Sequence, residues 1–256
     1  MKIIHELQDG SDRIFYRIKW NNKTAILLRE RNPSALRTYV RIAQMLSPYS
    51  PTIYDVNLHE GFIIMEDLGD ESLYKWITDG RETDIYFQVI DVLLEIQKIP
   101  CDNLPVFGEK ALIKEIEYFL RWNPHMKHLE KVLKDNALSL ASLAEKTFMH
   151  RDFQSRNIFI KKGRVRLIDF QSAHCGHPYY DLASLLWDPY VNLKNETRWE
   201  LARYYGAQPS LLQRFAIQRL AQAIAAYRKL SRKKSFFRRF IEPATNTLKD
   251  LLKNLY

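Results

Sequence analysis

Residues 148–171 read FMHRDFQSRNIFIKKGRVRLIDFQ, and this stretch places acids and an amide among apolar runs. The segments NIFI and RVRLI alternate in character and are rich in β-branched residues, and KKG lies between them. This pattern predicts a β-hairpin.

The register of this hairpin decides which polar side chains meet. If Lys162 and Gly163 form a two-residue turn, counting back along the strands sets Asn157 opposite Ile168, one residue before Asp169. Neighbouring strands are only about 5 Å apart, so an amide oxygen and a carboxylate at these positions can share a divalent cation. Mg²⁺ bound to phosphate oxygens is the natural candidate.

Asp152 lies five residues before Asn157, on the loop that leads into the hairpin. A carboxylate there can accept the proton of an attacking hydroxyl group, as phosphoryl transfer requires. The spacing of an Asp and an Asn alone arises often by chance in ordinary loops. The whole order is more specific: His150, Asp152, Asn157, a short hairpin and then Asp169.

The first seventy residues predict a small antiparallel sheet with one helix. RIFYRIKW and TAILL form a hairpin across NNK, and Asn32 followed by Pro33 begins a helix. Two further strands, PTIYDVNL and FIIMEDL, flank HEG. We assign residues 1–69 to an N-terminal lobe.

From Asp70 onward the pattern is mainly helical, and we assign residues 70–256 to a C-terminal lobe. One helix runs through Ile85 and Ile96 and ends before Pro100. Further helices are predicted over residues 108–122, 136–146, 179–188, 195–205, 209–230 and 236–254. The fold class is therefore α+β, with the hairpin standing alone among helices.

Composition sets the remaining limits. The 256 residues carry a formal net charge of +9, which favours anionic partners, and they contain no apolar run long enough for a membrane span or a secretory signal. Cys101 and Cys175 are too few for a disulfide framework and predict idle thiols in a reducing compartment. We expect a cytoplasmic protein.

The segments HRDFQSRN, IDFQ and YYDLASLL resemble the aminoglycoside phosphotransferase and choline kinase family, which has a bilobal protein-kinase-like fold. Within it the likeness is closest to the bacterial N-acetylmuramate/N-acetylglucosamine anomeric kinases. The resemblance implies a small-molecule kinase that uses ATP and Mg²⁺, with residues 1–69 as the nucleotide-binding lobe and residues 70–256 as the catalytic and substrate lobe. It implies that Asp152 is the catalytic acid-base residue and that Asn157 and Asp169 are the metal ligands. It also implies that Asp181, with His150, is a structural brace for the catalytic loop.

The nucleotide side agrees less well with this resemblance. Gly10 and Ser11 stand where related kinases cover the phosphates with a flexible loop, although an ordinary hairpin turn explains them equally. The usual pair of a strand lysine and a helix glutamate is missing; Arg29 is a candidate phosphate ligand, or else a surface arginine. Glu66 and Leu68 occupy the expected adenine-binding hinge, or else simply end a strand.

The acceptor is expected to be a neutral or anionic sugar. Residues 179–256 contain 14 lysines and arginines against 6 aspartates and glutamates, which disfavours the cationic aminoglycosides and choline, kept here as alternatives. The anomeric hydroxyl of N-acetylmuramate or N-acetylglucosamine fits both this charge and the resemblance. Arg151, Gln154 and Arg156 flank the catalytic position and are candidate substrate ligands.

Three other interpretations remain. The segment RKLSRKKSFFRRF at residues 228–240 is compatible with a non-catalytic RNA- or membrane-binding protein, but inward-packed phenylalanines with solvated charges explain it better. A protein kinase is disfavoured because only eleven residues separate Asp169 from Asp181. HCGHP is read as a loop after Asp169, not as a zinc site. We expect a monomer that binds neither nucleic acid nor membrane.

Overall fold

The computed structural model of the chain describes residues 2–7, 14–253 and 255. They form two compact units, each built from two chain segments. The first unit contains Met1–Asp79 and Arg156–Ser172, and the second contains Gly80–Ser155 and Ala173–Tyr256. The sequence divides the chain once, after residue 69, whereas the structure groups the hairpin with the first unit.

Strands and helices follow the predicted α+β pattern. The strands are β1 Lys2–Leu7, β2 Ile14–Trp20, β3 Lys23–Arg29, β4 Ile53–Asn57, β5 Phe62–Glu66, β6 Thr147–Met149, β7 Ile158–Lys161, β8 Arg164–Leu167 and β9 His174–Gly176. The helices are α1 Pro33–Met45, α2 Leu73–Thr78, α3 Ile85–Gln97, α4 Glu109–Trp122, α5 Glu130–Ala141, α6 Tyr179–Leu186, α7 Asn195–Tyr205, α8 Pro209–Leu230 and α9 Arg238–Lys253.

The first unit contains an antiparallel sheet with the order β1-β2-β3-β5-β4. The turn between β2 and β3 uses Asn21 and Asn22 at φ 45° and 60°, the left-handed conformation that tight hairpins require. Helix α1 begins where predicted, because Asn32 accepts a hydrogen bond from the Ser34 backbone N–H at 3.0 Å and Pro33 occupies the first turn. The predicted hairpin and helix are confirmed.

The β7–β8 hairpin has the predicted register. Lys162 and Gly163 form the turn at φ 51° and 72°, and each residue of β7 pairs with one residue of β8 without a bulge. The Ile168 backbone N–H donates to the Asn157 carbonyl at 3.0 Å, which places Asp169 immediately after the partner of Asn157.

Backbone hydrogen bonds attach this hairpin to the rest of the first unit. Ile160 N–H donates to the Glu71 carbonyl and Leu167 N–H donates to the Tyr49 carbonyl, both at 2.8 Å. These bonds pair one backbone group on the outer edge of each strand, so the hairpin does not stand alone.

Glu66, at the end of β5, adds ionic contacts to this attachment. Its carboxylate accepts hydrogen bonds from Lys161 at 2.8 Å and from Arg166 at 2.7 Å. Burial alone would raise the pKa of Glu66, but the hydrogen bonds from Arg166 and Lys161 lower it to about 2.

The second unit is mainly helical and is organised around α8, against which α4, α6 and α9 pack. Most predicted helices lie where expected, but α5 spans Glu130–Ala141 and not residues 136–146. Its buried positions, Leu133, Ala137 and Leu140, form a stripe that begins one turn before the predicted start.

The basic segment at residues 228–240 packs as predicted. Phe237 and Phe240 are buried beside Tyr227, and Tyr190 packs against the same cluster. The lysines and arginines of the segment are mostly exposed, and Phe236 is 36% exposed. The aromatic half of the segment therefore belongs to the core of the second unit.

Two expectations about Cys175 and the segment around it are wrong. Cys101 and Cys175 are joined in a disulfide with their Cα atoms 5.3 Å apart, not idle thiols. The backbone explains this, because Cys175 N–H donates to the Pro105 carbonyl and Phe107 N–H donates to the Cys175 carbonyl, both at 2.8 Å. HCGHP is also not a simple loop, since β9 pairs with β6.

Among the described residues, no helix combines the length and the apolar character that a membrane span requires.

The ionic contacts of Glu66 predict a pH-dependent stability. Because the folded state depresses the pKa of this carboxyl, its contribution is present above about pH 4.5 and is lost as the pH falls towards about 2. We expect Glu66→Gln to lower the free energy of unfolding by about 1–3 kcal/mol at pH 7. Urea unfolding between pH 7 and pH 3 measures the difference, which should shrink at the acidic end. Glu60→Gln, on an exposed turn, is the control, and a pH-independent difference would contradict the assignment.

Candidate active site

The end of the hairpin carries the two predicted metal ligands. Asn157 is buried, and Asp169 adopts a left-handed backbone with φ 62°, an uncommon conformation that often marks functional positions. Gln171 donates a hydrogen bond from Nε2 to Asp169 Oδ1, which orients the carboxylate. The geometry supplies one amide and one carboxylate as oxygen donors.

This donor set fits Mg²⁺, which binds proteins through one or two side chains and keeps water or phosphate oxygens on its remaining positions. Nowhere in the described ranges do three or more His, Cys, Asp or Glu side chains cluster in a way that could hold a metal by themselves. A cation at Asn157 and Asp169 would therefore need oxygens from substrate or solvent.

The predicted hinge follows β5. Lys161 Nζ donates to the Asp67 carbonyl at 2.6 Å, and Arg17 bridges to Asp67 and Asp70, each at 2.8 Å. The Gly69 backbone N–H donates to Asp67 Oδ1 at 3.0 Å. Residues 66–70 are thus held in one conformation by charged groups from β2 and β7, and Leu68 is buried among them.

The other predicted nucleotide ligands are less informative. Arg29 ends β3, where it is exposed, contacts the Glu60 carbonyl at 3.5 Å and lies over the Phe62 ring. Gly10 and Ser11 lie outside the described residues.

In the second unit, the loop of residues 150–155 is held by two buried carboxylates. Asp181 on α6 accepts hydrogen bonds from the backbone N–H groups of His150 at 2.6 Å and Arg151 at 2.8 Å. Asp188, just after α6, accepts from the Ser155 backbone N–H at 2.7 Å. The loop is therefore fixed on both sides of Asp152.

Burial strongly affects these carboxyl groups. It raises the pKa of Asp181 to about 7, although the two backbone N–H donors favour the anion, and it also raises the pKa of Asp188. Neither side chain is accessible enough to meet a substrate, so both act on the backbone of the loop.

Asp152 projects from this braced loop and is half-exposed. Its Oδ1 accepts a hydrogen bond from Arg219 Nη2 at 2.6 Å, and its backbone N–H points to His150 Nδ1 at 3.4 Å. A carboxylate that is fixed in position and reachable from solvent can orient and deprotonate a hydroxyl group.

The predicted substrate ligands occupy different settings. Arg151 has a left-handed backbone at φ 74°, and its guanidinium lies 3.8 Å from Glu115 and over the Phe107 ring. Gln154 donates its backbone N–H to the Asp152 carbonyl at 3.0 Å. Arg156 begins the second segment of the first unit. Their roles towards an acceptor stay predictions.

The sequence analysis missed three polar residues of the second unit: Arg219, Asp188 and Glu115. Glu115 is buried and accepts hydrogen bonds from Tyr180 at 2.8 Å and from Gln218 at 3.1 Å. Each of these residues is charged and lies on an otherwise apolar helical face or run. Its charge at such a position is the sequence signal that could have identified it.

Comparisons with known proteins show which proteins this chain resembles. The sequence profile of the phosphotransferase enzyme family matches residues 4–223. An N-acetylmuramate/N-acetylglucosamine kinase from Pseudomonas aeruginosa is 25% identical over 207 residues, which are 75% of this chain and 61% of that protein. One of the same name from Neisseria meningitidis is 25% identical over 223 residues, 77% of this chain and 67% of that protein. The chain spans about six tenths of the length of the curated relatives it matches.

Solved structures establish the fold. A choline kinase from Streptococcus pneumoniae has a TM-score of 0.67 at 14% identity and covers 98% of this chain and 95% of its own. An ADP-bound aminoglycoside phosphotransferase has a TM-score of 0.66 at 16% identity with the same coverage. The predicted kinase-like fold is confirmed.

The bonds of Asp181 predict the effect of a conservative change. In Asp181→Asn one backbone N–H would face the amide NH₂, leaving two donors opposed in a buried place. We expect the backbone N–H groups of the loop to lose these charge-assisted hydrogen bonds at pH 8, where the carboxyl of the wild type is ionised. Amide exchange of His150 and Arg151, measured by NMR, should accelerate. Asp102→Asn, at an exposed position, is the control, and unchanged exchange in Asp181→Asn would refute the brace.

Proposed function

The chain belongs to the phosphotransferase enzyme family, and from this membership we propose that it transfers the γ-phosphoryl group of ATP to a hydroxyl group of a small sugar. The observation that carries the proposal is Asp152, a half-exposed carboxylate on a loop that Asp181 and Asp188 hold from both sides. Phosphoryl transfer depends mainly on positioning and on charge neutralisation, and a braced carboxylate supplies the first of these.

In this proposal Asp152 accepts a hydrogen bond from the acceptor hydroxyl and takes its proton as the oxygen attacks the γ-phosphorus. The bond between that phosphorus and the β,γ-bridging oxygen breaks, ADP leaves, and Asp152 later returns the proton to solvent. Asn157 and Asp169 would hold Mg²⁺, which would supply charge neutralisation at the phosphate oxygens. The enzyme itself forms no covalent intermediate.

On the nucleotide side we propose that the backbone of Glu66 and Leu68 holds the adenine. The fixed conformation of residues 66–70 supports this role, because a preformed edge of backbone groups loses little entropy when it binds a ligand. We keep Gly10, Ser11 and Arg29 as candidate phosphate ligands.

For the acceptor we propose the anomeric hydroxyl of N-acetylmuramate or N-acetylglucosamine. Two observations support an uncharged or anionic acceptor: the basic balance of residues 179–256 and the guanidinium groups of Arg151 and Arg219 within the second unit. The names of the curated relatives agree with this choice. Arg151, Gln154 and Arg156 are the candidate contacts.

Two alternatives are weaker. Aminoglycoside or choline phosphorylation has only the fold in its favour, because the structures with those names are 14–16% identical to this chain. An RNA- or membrane-binding function would use the aromatic residues of segment 228–240 together with its basic ones. Phe237 and Phe240 lie in the core, so they do not contribute to such a surface.

An acceptor panel tests the proposal. Purified protein with Mg·ATP would be given N-acetylmuramate, N-acetylglucosamine, glucose, kanamycin, choline and homoserine in separate reactions, and ADP release and product would be followed by coupled assay and mass spectrometry. We expect stoichiometric phosphorylation of an N-acetylated sugar, with loss of the reducing-end signal. Phosphorylation of only kanamycin or choline would replace the proposed acceptor, and no turnover with any compound would refute the function.

Asp152→Asn should lower turnover on the accepted sugar by roughly 10²- to 10⁴-fold, because the amide cannot take the proton. Affinity for Mg·ATP, measured by calorimetry, should change little. Asp135→Asn, on the exposed face of α5, is the matched control in the same unit. A fully active Asp152→Asn protein would show that another group is the base.

Asp169→Ala should abolish metal-dependent nucleotide binding, since Asn157 alone is a neutral and weak ligand. Calorimetric titration with ATP in the presence and absence of Mg²⁺ measures this without turnover. Asp55→Ala, on the exposed side of β4 in the same unit, should bind Mg·ATP as the wild type does. Equal Mg·ATP affinity in wild type and Asp169→Ala would exclude the metal site.

A further inference from the structure

Arg219 makes three directed hydrogen bonds around Asp152. Nη2 donates to Asp152 Oδ1 at 2.6 Å, Nε donates to Ser184 Oγ at 2.9 Å, and Nη1 donates to Gln222 Oε1. Each of the three guanidinium nitrogens therefore has an acceptor. An arginine held in this way cannot rotate without breaking several bonds at once.

The arginine is also far less accessible than its partner. The Arg219 side chain is 11% exposed, whereas that of Asp152 is 37% exposed. Its neighbours along α8, Gln218 and Leu220, are buried, and Gln218 is bonded to the Leu112 carbonyl at 3.0 Å. The guanidinium therefore belongs to the rigid interior of the second unit, and it reaches outward to the loop that carries Asp152.

The charge of Arg219 is retained in this setting. Burial alone would lower its pKa, but the surrounding groups, with Tyr180 and Asp152 foremost, raise it. Tyr180 is not an anionic partner, since burial raises the pKa of its phenol well above the ordinary value. The carboxylate thus has a permanent cation on one oxygen.

We propose that Arg219 is a positioning residue for Asp152: it fixes the plane of the carboxylate so that the acceptor hydroxyl meets it in a productive orientation. This inference rests on the proposed function. The brace by Asp181 and Asp188 fixes only the backbone of the loop, and Arg219 completes it by fixing the side chain. Misplacement of a catalytic group by about 1 Å can cost roughly 100-fold in rate. A contact that holds the carboxylate in place can therefore have a large effect on turnover.

Two other roles predict different kinetics. A merely structural ion pair would change stability, and any loss of activity would not depend on whether residue 152 is a carboxylate. A direct ligand of the acceptor would raise the acceptor KM. A positioning residue lowers kcat through Asp152, so its effect disappears when the carboxylate is gone.

The test is a double-mutant cycle of Arg219→Gln and Asp152→Asn, assayed for steady-state kcat and KM with the sugar that the acceptor panel identifies. We expect Arg219→Gln to lower kcat roughly 10- to 100-fold and each KM to change less than about threefold. In the Asp152→Asn background the same change should cost less than about twofold. Arg219→Lys, which keeps the charge but not the planar fork, should recover part of the rate. Arg214→Gln, earlier on α8, is the control for a lost arginine.

Equal losses from Arg219→Gln in both backgrounds, or a loss confined to the acceptor KM, would overturn the positioning role while leaving the proposed function intact. If Arg219→Gln does not fold by circular dichroism, Arg219→Lys decides, and wild-type kcat in that variant would also overturn it. A wild type without phosphotransfer, or one unaffected by Asp152→Asn, would instead refute the proposed function, and the role of Arg219 would fall with it.

Discussion

The candidate catalytic loop depends on hydrogen bonds from its backbone N–H groups to buried carboxylates. The loop has no helix or strand ladder between residues 150 and 155, and Arg151 takes a left-handed conformation that costs about 1 kcal/mol or more. Asp181 and Asp188 offset this cost with charge-assisted hydrogen bonds. Because these acids lie on or directly after a buried helix, the position of the loop follows from the packing of α6.

The first unit uses a different device, since its charged pairs join elements that are distant in the sequence. Glu66 binds Lys161 and Arg166 on the hairpin, and Arg17 of β2 binds Asp67. The same few residues therefore set both the hinge and the strands that carry Asn157 and Asp169. The Glu66 side chain is engaged by these cations, which depress its pKa. Only the backbone of Glu66 is therefore proposed to meet the nucleotide.

Local chemistry was the part that the sequence made predictable. The turn at Lys162 and Gly163 sets a register within ten residues, and the Asn32 cap marks the start of α1, so both could be predicted from neighbours in the chain. Short strands such as β6 and β9 have too few residues for a period to be visible.

Contacts across long sequence separations were not predictable. Arg219 lies 67 residues after Asp152, and the cysteines are 74 residues apart. No local pattern encodes such distances, because tertiary packing alone brings those segments together.

One unit assembled from residues before 80 and after 155 has a further consequence for synthesis. The ribosome must add 93 residues between Asp79 and Ser172, which takes roughly 5 to 20 s. During that interval the first unit lacks the β7–β8 hairpin and the cations that neutralise Glu66, so the nascent chain begins its second unit before it can finish its first.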